Sequence, residues 1–226
     1  MKYTLAWLSL CCVHTLSQAV ITTKYKIISS QNASRAFLKC GHYSSAFDYC
    51  GARVTSNTCQ LKPRDWCGAK NFHPNSSYIV KQSVTDVLEI TRVRKYERSL
   101  PIVFGNRSGI ELKFIPCLGL SQYTVELSDD THNIVLQITL MSPDSWYFSS
   151  RVNNVWTPHT NYLFRLKTDV EVTLNIVSDF NKFIISLNGT IKEYSYTIPA
   201  TKVNRIKSYF IGSMCHLLQV KYTAGF

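Results

Sequence analysis

Four side chains in one stretch have the types and spacing to hold a ligand: Gln137, Thr139, Met141 and Trp156. They lie in IVLQITLMSPDSWYFSSRVNNVW, from Ile134 to Trp156. The stretch opens with strict alternation. Ile134, Leu136, Ile138 and Leu140 leave one side of the chain, and Val135, Gln137, Thr139 and Met141 leave the other. Successive side chains of a pleated strand point to opposite faces, so this pattern predicts a half-buried β-strand with a polar outer row. An amide and a hydroxyl can each donate and accept hydrogen bonds. A Trp brought up beside them by an Asn-Asn turn adds a flat apolar face. That combination is suited to non-covalent recognition. Catalytic patterns are missing: there is no Gly-x-Ser-x-Gly, no His-Glu-x-x-His and no convincing carboxylate pair. The Asp129-Asp130 dyad falls in a turn, where such residues serve the backbone. No enzymatic activity, metal or cofactor is expected.

Other strands must hold that face in place. From Leu100 onward they arrive at short intervals with turn residues between them, the pattern of an all-β sandwich. Ile110, Leu112 and Phe114 form one apolar row; Tyr123, Val125 and Leu127 form the next. Val170, Val172, Leu174 and Ile176 alternate with Glu171, Thr173 and Asn175. Phe183, Ile185 and Leu187 lead into Asn188-Gly189, the strongest short hairpin signal. A last strand carries Leu218, Val220 and Tyr222. No segment shows a sustained helical period. Two sheets packed face to face would bury these rows. Each large side chain buried contributes about 1.5–3 kcal/mol, enough together to sustain a domain.

The N-terminal part reads differently. Lys2, the apolar run LAWLSLCCV and Ser17-Gln18-Ala19 form a signal peptide over residues 1–19, cut after Ala19. The run is too short to cross a bilayer as a helix, and no later run is longer. The expected destination is therefore extracellular. Cys11 and Cys12 leave with the leader, and Cys40, Cys50, Cys59, Cys67, Cys117 and Cys215 remain, an even set that reads as disulfides in a secreted chain. No Cys-x-x-Cys pair suggests zinc. Residues 20–98 form a cysteine-rich module and linker with little apolar periodicity, which disulfides would compensate. Its stretch AFDYCGARVTSNTCQL resembles part of the cysteine-and-Leu signature of PAN/apple modules. Within it, Asn71–Arg98 alternates in part, and the sequence leaves open which module it joins. Four sequons begin at Asn32, Asn75, Asn106 and Asn188, each a candidate glycosylation site on the surface. The net charge is +11, but the densest basic run, TRVRKYER, is broken by Glu97 and reads as a solvated linker face, so no nucleic-acid partner is expected.

The order of segments in residues 99–226 resembles a galectin. LPIVFGNRSGIELKF is similar to the family's opening, and QYTVELSDDTHNIVLQITL to its two strands leading into the sugar-binding strand. NNVW matches the turn carrying the family's stacking Trp, and DVEVTLNIVSDFNKFIISLNG resembles its penultimate unit. YTIPATKVNRIKSYFIGS is similar to the Pro-containing turn and strand that follow. The resemblance implies a jelly-roll-like sandwich of two antiparallel sheets with a galactoside groove. It also implies a site: the family's His, Asn and Arg fall on Gln137, Thr139 and Met141, a further Asn on Ser149, the Trp on Trp156, and a Glu and an Arg near His159 and Asn161. A sugar ring has an apolar C–H face and a rim of hydroxyls, which a Trp and fixed polar groups would bind respectively. Trp156 keeps the platform, while Met141 cannot replace the Arg fork. Glycans or glycoproteins are thus the expected partners, with galactoside preference in doubt. The resemblance further implies a Cys117–Cys215 disulfide, with Cys40, Cys50, Cys59 and Cys67 pairing among themselves. Closing so long a loop contributes about 4–5 kcal/mol in the chain-entropy model. The leader is a departure, since familiar galectins lack one.

Overall fold

The computed structural model describes side chains and backbone for residues 95–225, apart from 103, 142–143, 197 and 213–214. Before that it describes the backbone of short strands, with the side chains of Ser83, Val84, Thr85 and Leu88. In chain order the early strands are β1 (Thr15–Leu16), β2 (Ala19–Ile28), β3 (Tyr49–Val54), β4 (Cys59–Pro63), β5 (Ser77–Leu88), β6 (Arg92–Val93) and β7 (Lys95–Ser99). Then come β8 (Gly109–Ile115), β9 (Gln122–Ser128), β10 (Ile134–Met141), β11 (Ser145–Val152), β12 (Val155–Trp156) and β13 (Thr160–Leu163). The chain continues through β14 (Val172–Asp179), β15 (Lys182–Leu187), β16 (Thr190–Ser195), β17 (Arg205–Ile211) and β18 (Cys215–Thr223). The described residues hold no α-helix, only one 3-10 turn at Ala200–Lys202. The expected all-β sandwich of two antiparallel sheets is what forms.

One sheet runs β1-β2-β5-β18-β8-β14-β15-β16, with β3 and β4 attached through β5, and β6 through β18. The other runs β12-β11-β10-β9-β17-β7, with β13 beside β11. The apolar rows read from the sequence meet between them: Ile110, Leu112 and Phe114, then Tyr123, Val125 and Leu127, then Phe183, Ile185 and Leu187 are all essentially without exposed surface. Tyr123 stacks on Phe210 with ring centroids 4.5 Å apart and lies 4.3 Å from Phe114. The Asn188-Gly189 hairpin forms as expected, with both residues at positive φ and Leu187 paired to Thr190. This is the conformation that Asn-Gly adopts at least cost.

The stretch 71–98 that the sequence left open supplies strands to both sheets. β5 pairs with β18 from Ser83 to Val87, and β7 pairs with β17 from Lys95 to Ser99. Val84 is buried in the common core. Tyr96 on β7 reaches across to Tyr222 on β18, hydroxyl to hydroxyl at 2.8 Å. Strand β7 therefore straddles the boundary drawn at residue 98. The four cysteines Cys40, Cys50, Cys59 and Cys67, and the sequons at Asn32 and Asn75, lie outside the residues whose side chains are described. Asn106 and Asn188 are exposed on turns.

Three rows depart from simple alternation. In β10, Ile134 pairs with Ser128 and Leu136 with Leu127, so two steps oppose one. This bulge buries Val135, expected on the outer row, along with Ile134 and Leu136. In β18 a register shift between Leu217 and Gln219 puts Leu217, not Leu218, in the core. Val170 precedes the start of β14 and is exposed rather than part of the inner row.

The Asp129-Asp130 turn has a structural role. Asp129 Oδ1 accepts the backbone N–H groups of Thr131 and Asn133 (2.9 Å each) and the Thr131 hydroxyl (2.8 Å). Its Oδ2 accepts from Asn133 Nδ2 at 3.1 Å. Partial burial pushes this carboxyl up, but the bonds from Asn133 and Thr131 outweigh burial and hold it below the usual range. The folded-state value is depressed, so the stabilisation is present above the ordinary Asp pKa of about 3.9 and is lost as pH falls through the folded value. We expect Asp129→Ala to cost about 1–3 kcal/mol, mostly from stranded turn donors. Urea unfolding at pH 7 and pH 3 checks this, and the wild-type–mutant gap should narrow at the lower pH.

Candidate functional site

Register sets out the outer face of the second sheet in rows. Gln137 pairs with Ser149 on one side and Glu126 on the other, and Glu126 continues to Lys207. One step along, Thr139 lies between Tyr147 and Thr124, and the row extends to Asn161 and Tyr209. Met141 lies between Ser145 and Gln122. The i, i+2, i+4 logic of the sequence therefore holds for Gln137, Thr139 and Met141 as neighbours on one face.

The middle of that face is closed. Thr139, expected on a solvated row, has no exposed surface, and its hydroxyl faces that of Thr124 at 3.4 Å. Half-buried Tyr147 and Tyr209 occupy the positions on either side of this threonine pair. Gln137 is held at both ends of its amide: Ser149 Oγ donates to its Oε1 at 3.1 Å, and its Nε2 donates to Glu126 Oε1 at 3.1 Å. The same Glu126 oxygen accepts the Tyr209 hydroxyl at 3.0 Å, while Lys207 Nζ lies 3.4 Å from its other oxygen. Burial, then the Glu126 carboxylate, pushes the Tyr209 hydroxyl up to about 12, so it stays protonated and donating. Ser149 is 5% exposed. Gln137 and Ser149 are thus spent on one another and on Glu126, and Thr139 on Thr124.

The edge of the face is open. Asn153 and Asn154 both take positive φ and make the tight turn between β11 and β12. The Asn153 N–H donates to Asn133 Oδ1 at 2.9 Å, tying this turn to the one between β9 and β10. Just past the turn, the Thr157 hydroxyl lies 2.8 Å from the Ser150 N–H as its acceptor and 3.2 Å from the Tyr194 hydroxyl. Trp156 sits between these two anchors and is 46% exposed. It pairs with Arg151, whose guanidinium lies 5.4 Å from its ring centroid. His159 is exposed, its ring 5.2 Å from that of Tyr147, and Asn161 pairs with Tyr147 and is also exposed. The sequence named Trp156, His159 and Asn161 as candidates; the structure sets Arg151 and Tyr147 beside them. Their signal was present: they occupy alternate positions of the strand that also carries Ser149.

The implied Cys117–Cys215 pair is brought together. The Cys117 N–H donates to Cys215 Sγ at 3.0 Å, as the antiparallel pairing of β8 with β18 predicts. Burial, then the neighbouring Cys117 thiol, pushes Cys215 up to about 12, so its thiolate is scarce near neutral pH and spontaneous oxidation should be slow. Non-reducing peptide mapping of protein exported through an oxidising compartment is expected to link Cys117 to Cys215. A link from Cys117 to Cys40, Cys50, Cys59 or Cys67 would remove the pairing.

Two packed antiparallel sheets, with a Trp turn at the rim of one, are the plan of a galectin carbohydrate-recognition domain. Of the comparisons with known proteins, the one with solved structures bears on the fold. No family model matches the sequence, and no curated protein matches it. Among solved structures, the chain is similar to galectin LEC-6 of Caenorhabditis elegans at 16% identity and TM-score 0.51, over 60% of this chain and 100% of that one. It is also similar to sheep galectin-11, solved with glycerol, at 10% identity and TM-score 0.50, over 57% and 98% of the two chains. A toad ovary galectin, solved with thio-digalactose, matches at 12% identity and TM-score 0.50, over 57% and 98%. The protein has the galectin fold. No helix among the described residues is long and apolar enough to cross a membrane.

Proposed function

We propose that this chain is a secreted lectin-like protein that binds carbohydrate at the rim of the galectin-fold sheet, around Trp156, without catalysing a reaction. The observation that carries the reading is the half-exposed indole of Trp156, held between the anchored Asn153-Asn154 turn and the Thr157 hydroxyl, beside His159, Asn161 and Tyr147. A flat ring takes the C–H face of a sugar, and exposed donors and acceptors beside it take the hydroxyls. The bound sugar sits toward Trp156, Tyr147 and Asn161 rather than over Thr139, because that threonine is hidden. The galactoside preference of the family is correspondingly weakened: Met141 occupies its Arg position and the Gln137 amide is engaged by Glu126 and Ser149. Export by the N-terminal leader places the site where glycoproteins are displayed.

A second reading is favoured by the same closed centre. A face whose polar groups already satisfy one another needs no sugar to complete it, and could serve protein contact instead. A glycan-array profile of the secreted, folded protein, run beside Trp156→Ala, separates the two. Binding that the substitution removes supports the lectin. No binding to any glycan from the folded protein overturns it in favour of protein partners.

A further inference from the structure

The residue that pairs with Trp156 narrows the class of sugar. Arg151 carries five N–H donors, and its one hydrogen bond among the described residues is a long 3.5 Å contact from Nη2 to the His132 carbonyl. It has no carboxylate partner among those residues, and the acids of the neighbouring strands and turns are engaged by other groups. Glu126 serves Gln137, Tyr209 and Lys207. Asp129 serves its own turn, and Asp130 bonds Asn204. Farther along the face, Glu97 takes Lys95 and Arg205, so three cations share the two carboxylates of Glu97 and Glu126. An unneutralised guanidinium therefore lies against an exposed indole, with Glu126, Asp129 and Asp130 already engaged among the described residues.

We infer that the Trp156 site selects sugars bearing an acidic substituent, a carboxylate or a sulfate, with Arg151 as the group that recognises the anion. This rests on the lectin reading above and sharpens it. The guanidinium fork matches the two oxygens of a carboxylate or sulfate, and the cation–π contact with the ring lowers the cost of ordering it. The indole holds the sugar body, and Arg151 holds the charge at its edge. Neutral sugars keep only the stacking and the contacts from His159 and Asn161.

The test titrates the full secreted protein with N-acetyllactosamine and with its 3′-sialylated and 3′-sulfated forms, in 0.15 M salt to suppress diffuse attraction to a +11 chain. At least one acidic form is expected to bind ten-fold or more tighter than the neutral sugar. Arg151→Gln should abolish that preference, so that acidic and neutral forms bind alike, and Trp156→Ala should weaken all forms together. Equal binding of neutral and acidic sugars, or a preference that survives Arg151→Gln, overturns the inference and leaves the lectin standing. Acidic binding that survives both substitutions also overturns it, since that marks general attraction to a basic surface. No binding of any form, taken with a blank glycan array, removes the lectin reading itself.

Discussion

Trp156→Ala is expected to weaken glycan binding by about thirtyfold, roughly 2 kcal/mol, while leaving the fold intact. The size follows from removing the central aromatic of a small site, where a buried Trp commonly carries that much or more. The fold survives because Trp156 lies on a two-residue strand at the sheet edge and is half exposed before any ligand arrives. Its loss costs the fold only the stacking with Arg151, about 0.5–1 kcal/mol at an exposed site. Calorimetric titration with the best array ligand, beside a thermal melt of both proteins, checks both halves. Unchanged affinity would move the binding site away from this turn. A large fall in melting temperature would mean that Trp156 is a packing residue.

Trp146→Ala should do the reverse. Trp146 stands ten positions earlier, faces the opposite side of β11 and has no exposed surface. It meets Phe148 edge-on at 4.9 Å and lies 6.0 Å from Tyr162 and 6.1 Å from Phe164. Truncation leaves a cavity that these rings cannot fill, at a cost of about 3–5 kcal/mol. That is a large part of the roughly 5–15 kcal/mol that holds a domain folded. Its indole N–H has no acceptor among the described residues. Trp146→Phe, which removes that donor and keeps a ring, should therefore cost clearly less than the alanine change. Urea midpoints of the three proteins give the order. A Phe variant as unstable as the Ala variant would show that the N–H has a partner after all.

The contrast between these two tryptophans shows how much of the molecule is legible in its sequence. Alternation assigns Ile138, Leu140, Leu112, Ile176 and Phe183 to the core because a pleated strand has only two faces and one of them must leave water. The Asn188-Gly189 turn was readable for a local reason, the positive φ that Asn and Gly tolerate. The Trp156 turn was readable through the resemblance of NNVW and the residues around it. What misled was bulges and shared burial. Val135 and Leu217 are buried because one extra residue in a strand shifts the pleat, and a two-fold pattern gives no warning of it.

Thr139 marks the limit. Its sequence places it correctly on the outer face beside Gln137, but whether that face is wet depends on strands distant in the chain. Tyr147 on β11 and Tyr209 on β17 come up on either side of it, and Glu126 on β9 engages the Gln137 amide. The same is true of Arg151, whose position under Trp156 exists only once β11 and β12 are paired, and of Cys117 and Cys215, which approach only through the pairing of β8 with β18. Strands, their buried faces and the tight turns are written locally in the chain, because they follow from local stereochemistry and the transfer of apolar groups out of water. Tertiary structure alone decided which polar groups remain open to a ligand, because that depends on what neighbouring strands lay across them.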